Sequence, residues 1–161
     1  MSGAIAYIGP ALAEALAAIG SALGTQKAAS AAVSVIAEDV RLRVKAYALA
    51  AFPMTQTIAY GFVYMLFCYS NVLPSLVSKY GSMDAIPLGI GLAILGISLL
   101  VGFAELFSAY GQGLVCGDGI VLLLRTQGRI LSDAIILAAY EELFGIIGMV
   151  FGMTMLSIIA G

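Results

Sequence analysis

A chain of 161 residues that is 62% hydrophobic and 10% charged, with a mean hydropathy of +1.09, has too few polar side chains to cover a water-facing surface. A net charge of -2 with no basic run argues against nucleic acid as a partner, and the chain has neither histidine nor tryptophan.

In chain order, charged residues punctuate four apolar stretches. The first covers residues 5–37 and stops at Glu38, Asp39, Arg41, Arg43 and Lys45. Residues 1–10 lack the Lys or Arg that opens a cleaved signal peptide, so this stretch is expected to be retained. The second covers residues 46–77 and stops at a polar turn holding Lys79 and Asp84. The third covers residues 86–124 and stops at Arg125, and the fourth covers residues 131–159. Each exceeds the ~20 residues that cross a bilayer core. A lipid-exposed span must satisfy its own backbone, which selects helix. The expectation is an all-α membrane protein with four transmembrane helices. Arg41, Arg43 and Lys45 in the first loop and Arg125 and Arg129 in the third outweigh Lys79 in the second. The positive-inside rule then puts loops 38–45 and 125–130 in the cytoplasm and both termini outside the cell membrane. Cys68 and Cys116 sit in apolar segments without metal-ligand spacing and read as small packing residues.

The halves repeat. A shift of 87 residues superimposes Gly9 on Gly96, Ser21 and Ala22 on Ser108 and Ala109, Gly24 on Gly111, Ala51 on Ala138, Gly61 on Gly148, and Ser70 on Ser157. Both halves therefore run in the same direction, against the inverted-repeat plan of many transporters. Two tandem helical hairpins, residues 1–80 and 81–161, describe the chain. The first helix of each is rich in small residues: Ala13, Ala17, Gly20, Gly24, Ala28 and Ala31, then Gly89, Gly96, Gly102, Gly111 and Gly117. Such faces let backbones approach closely, either within one four-helix bundle or in a crowded inner ring of many copies.

Polar groups inside apolar spans are costly and mark candidate sites. The fourth span holds Glu141 and Glu142, whose side chains diverge by about 100° on a helix. The second carries Phe52, Pro53, Met54, Thr55 and Gln56, where proline removes a backbone donor and loosens local carbonyls. The third adds Gln112. In the repeat Thr55 falls opposite Glu142, so the first hairpin has a neutral ligand where the second has a carboxylate. Polar glue between helices is the alternative reading of each residue alone. Together, a carbonyl, a hydroxyl, two amides and a carboxylate make a hard-oxygen set suited to an alkali cation.

These motifs resemble the proteolipid (K or c) subunit of V/A-type rotary ATPases, in the bacterial sodium-type subset. The resemblance spans nearly the whole chain. It rests on Pro53 to Gln56, on Leu106, Phe107, Ser108, Gln112 and Gly113, and on Glu142. It implies a homo-oligomeric ring in lipid and Na+ bound by Glu142, Gln112, Thr55, Gln56 and the Phe52 carbonyl, with H+ as the alternative ion and no organic cofactor. It also implies two partners: a static membrane subunit whose arginine meets each carboxylate, and a central stalk at the cytoplasmic loops. ATP hydrolysis belongs to other subunits, since Gly111, Gln112 and Gly113 are mid-membrane and form no phosphate cradle.

One departure stands out. The sodium-type pattern places a tyrosine three residues after the glutamine, where it can hold the glutamate. Here that position is Ala59 and the tyrosine is Tyr60. On a regular helix the slip turns Tyr60 about 100° away, leaving the glutamate unlocked or held by Thr57 or another group. Tyr60 and Glu141 are thus auxiliary candidates. Glu14, Glu105, Lys27 and Asp118 are read as interfacial or snorkelling charges, with an ion entry path or an inter-subunit pair as the alternative. A small four-helix secondary transporter, with Glu14 as its first-span carboxylate, is the reading from a different class. It would form a dimer rather than a large ring.

Overall fold

The computed structural model describes residues 2–161, side chains from Gly3 onward. Among them are four helices long and apolar enough to cross a membrane: Gly3–Glu38, Val40–Tyr80, Leu88–Thr126 and Leu131–Ala160. The first, α1 (Ser2–Glu38), accommodates Pro10 in its interior. It ends where Asp39 turns extended and accepts from the backbone N–H of Arg41 at 3.0 Å. The Arg41 guanidinium donates to both Asp39 oxygens at 2.9 Å and holds that carboxyl below the usual range. The pair lies at the surface, where such contacts contribute little stability.

The second span departs from the single regular helix expected over residues 46–77. It is a chain of pieces: α2 (Arg43–Ala51), a 3-10 turn Phe52–Met54, a π-turn Gln56–Gly61, α3 (Phe62–Phe67), a second π-turn Cys68–Val72 and α4 (Leu73–Tyr80). Pro53 starts the irregularity, because it has no N–H for the ladder. Gly81, at φ +85°, closes α4 in a left-handed conformation that side chains rarely adopt. The third span is α5 (Leu88–Thr126), which follows Pro87 and ends at the left-handed pair Gln127 and Gly128. Lys45 reaches across from the first loop to donate to the Gly128 carbonyl at 3.2 Å, tying the two basic loops together. The last span is α6 (Leu131–Ala160).

The small residues have a direct use. The first helices of the two hairpins, α1 and α5, pack along each other so closely that a methyl group on Gly20 would come within 2.5 Å of the Leu106 backbone. Gly24 and Gly113 meet backbone to backbone at the same interface. Close approach of this kind drives helix association where lipid offers no hydrophobic gain. Two apolar clusters fill the bundle. Ala6, Tyr64, Cys68, Leu76, Ile94 and Leu156 belong to the one near the termini. Leu42, Leu49, Cys116, Ile120, Leu123 and Ala134 belong to the one near the basic loops. Both cysteines are free and buried, as packing residues should be. Between the clusters lies a layer of polar side chains.

Candidate functional site

The polar layer is built from the second span, α5 and α6. Thr55 Oγ1 lies 2.9 Å from the Phe52 carbonyl and 3.1 Å from Gln56 Oε1. Three hard oxygens thus come together on the turn that Pro53 deforms. Gln56 is fully buried, and its amide nitrogen donates to Ser108 Oγ at 3.0 Å and to Gln112 Oε1 at 3.3 Å. Gln112, also fully buried, uses its own nitrogen on the Ala138 carbonyl of α6 at 3.1 Å. Ser108 donates to the Glu141 carbonyl at 2.6 Å. The amide nitrogens and the serine hydroxyl therefore join helices, and this orients the amide oxygens. Glu142 stands one turn beyond Ala138 on α6.

The glutamate is held, contrary to the expectation from the displaced tyrosine. Tyr60 donates its O–H to Glu142 Oε1 at 2.8 Å. A regular helix would turn Tyr60 away. The π-turn Gln56–Gly61 takes an extra residue into the turn through its i→i+5 hydrogen bonding and restores the tyrosine to the glutamate. Thr57 is not the substitute lock: it donates to Ser21 Oγ of α1 at 2.7 Å.

The adjacent carboxylates diverge as their spacing requires. Glu142 turns to the second span, and Glu141 lies against α5, where a methyl group on Gly111 would come within 2.7 Å of its Oε2. The structure thus links Phe52, Thr55, Gln56 and Gln112 in one hydrogen-bonded group, with Glu142 and Tyr60 as a second pair. Ser108 belongs to a motif visible in the sequence, but its role as the strut between Gln56 and α6 was missed. Its position opposite Ser21 in the repeat was the available signal. Glu105 corrects the snorkelling expectation. It is fully buried, because it shares the inward face of α5 with Gln112 two turns away. Lys27 and Asp118 line one groove together with Ser30 and Ser34.

Comparison with known proteins agrees with this architecture. The family model for the C subunit of ATP synthase matches twice, at residues 8–68 and 95–155, and the two matches are offset by the same 87 residues as the repeat. The chain is also 33% identical over 133 residues, 82% of its length and 77% of the relative's, to the K subunit of the V-type sodium ATPase of Enterococcus hirae. The duplicated match displaces the small-transporter reading. The chain belongs to the ATP synthase C-subunit family, as a c/K-type proteolipid with two hairpins: a non-catalytic, ion-carrying membrane rotor subunit of a rotary ATPase.

Proposed function

We propose that the ring carries Na+, one per subunit, at Glu142, with Thr55, Gln56, Gln112 and the Phe52 carbonyl as the other ligands. The observation that carries this reading is the orientation of the polar layer. Both glutamine nitrogens are engaged, and Phe52 O, Thr55 Oγ1 and Gln56 Oε1 converge on one turn. A dehydrated alkali cation needs several oxygens in place of water, whereas a proton needs only the carboxylate. Tyr60 steadies Glu142 by donating to it. The relative from Enterococcus hirae is named as a sodium ATPase subunit, which agrees with this choice of ion.

The cycle is electrostatic. A bare Glu142 carboxylate facing hydrocarbon costs at least ~2.5–3.5 kcal/mol. With a cation bound the site is neutral and passes through lipid. At a static membrane subunit an arginine competes for the carboxylate and the cation leaves. A membrane potential biases that exchange by about 2.3 kcal/mol per charge per 100 mV. The basic loops 38–45 and 125–130 form the cytoplasmic rim against a central stalk, and the termini lie outside.

A hydrophobic carbodiimide, which attacks a protonated carboxyl reachable from lipid, tests the site. Peptide mapping is expected to find the label on Glu142, with added Na+ slowing the reaction. Label on Glu141 instead would move the site. Label on Glu142 with no effect of Na+ would make the rotor H+-driven.

A further inference from the structure

Two carboxylates outside the Glu142 site are not accounted for by the ion cycle. Glu105 of α5 is fully buried, and neither of its oxygens makes a hydrogen bond. Glu14 of α1 brings a buried Oε2 that also makes none. Their helices touch at this level: a methyl group on Gly102, three residues before Glu105, would come within 2.9 Å of Ala13, the neighbour of Glu14. Each sits in a notch made by a glycine: Glu14 Oε2 against Gly61 of the second span, Glu105 Oε2 against Gly145 of α6. At Gly145 a methyl group would come within 2.5 Å of that oxygen.

The surrounding titratable groups offer no counter-charge. From the second span the neighbour is Tyr60, within electrostatic reach of Glu105 and already donating to Glu142. From α6, Glu142 is turned to Tyr60 and Glu141 to Gly111. Among the described residues no lysine or arginine pairs with either carboxyl. Two like charges in an apolar interior cannot both stay ionised, and an unpaired buried oxygen calls for a hydrogen.

We propose that Glu14 and Glu105 form a second proton-binding site within each subunit, separate from the site at Glu142. One O–H bond forms on a carboxyl oxygen of the pair, with the proton taken up from water. A proton suits the place better than a metal ion. The notch at Gly61 is lined by Ala17 and the Gln56 carbonyl, and that at Gly145 by Ser108, whose hydroxyl is already spent on the Glu141 carbonyl. The pair keeps its proton whatever occupies Glu142.

Infrared spectroscopy of purified rings carrying Glu142→Gln tests this independently of which ion Glu142 takes. A protonated-carboxyl C=O band is expected at pH 7, unchanged by Na+ or Ca2+ and lost at higher pH. Adding Glu105→Gln should remove about one carboxyl's intensity from it. Adding Glu14→Gln instead should shift its frequency, since the neighbouring carboxyl becomes an amide. Ring assembly on a gel accompanies each spectrum, and Glu14→Gln, at the less buried position, keeps the test open if the Glu105 variant fails to assemble. A pH 7 band identical in all assembled rings, or one abolished by added cation, would overturn the proposal.

Discussion

Gln112 spends its nitrogen on the Ala138 carbonyl, and its oxygen, which accepts from Gln56, keeps a second lone pair for a ligand. Gln112→Leu removes both the strut and the oxygen, and Thr55→Val removes a hydroxyl with little change of shape. Each lost oxygen should cost on the order of 1–3 kcal/mol of Na+ binding, as for an unmet partner in a buried polar site. Glu142 should still take a proton in both variants. Uptake of ²²Na+ by rings reconstituted with the complete ATPase measures this, and unchanged Na+ affinity in both would reduce the two residues to packing. Tyr60→Phe probes the lock alone. It removes one hydrogen bond to a charged group, and ion release should accelerate by a factor corresponding to ~1.5–3 kcal/mol. Carbodiimide labelling of Glu142 at fixed Na+ should become faster. An unchanged rate would mean that the 2.8 Å contact does not hold the glutamate.

At the level of the element, the π-turn Gln56–Gly61 explains how one residue too many still brings Tyr60 to Glu142. Deleting Ala59 should convert it to a regular turn. Tyr60 and everything after it would keep their places, because the deletion removes the residue that the bulge absorbs. The ring should assemble and Na+ should still protect Glu142. Loss of assembly or protection would show that the wide turn is needed for itself. This turn also marks where the sequence stopped being readable. Span ends were legible because charged residues cannot sit in lipid, and the repeat was legible because glycine and serine recur at a fixed offset. The residues proposed as ligands stood out because oxygen-bearing side chains are rare in such helices. A single inserted residue leaves no trace in hydropathy, so rotation by a regular helix predicted the wrong direction for Tyr60. Burial of Glu105 was hidden for a related reason. Its place on the Gln112 face was visible, but which face of α5 turns inward depends on packing against α1 and α6.

For the whole molecule, the outer surface is apolar along every span: Val33, Ile58, Phe107, Phe144 and Ile158 are all exposed on the single chain. Lipid and neighbouring subunits must cover them, as a rotor ring provides. The polar ends differ. The connection from α1 to α2 and that from α5 to α6 lie together, joined by Lys45 and the Gly128 carbonyl, and carry Arg41, Arg43, Arg125 and Arg129. A ring that transmits torque needs such a rim on the stalk side, and the positive-inside rule assigns the same side to it. Both cysteines of the chain are buried, so new ones at Arg41 or Arg129 can be read against a quiet background. A membrane-impermeant thiol reagent should label Arg41→Cys and Arg129→Cys in inside-out vesicles and leave them untouched in intact cells. Docking of the central stalk should then protect both positions together, because one rim carries them. Labelling from outside intact cells would invert the topology and with it remove the stalk from these loops. Labelling of one position from each side would break the pairing of the two hairpins, which no arrangement of a parallel repeat allows.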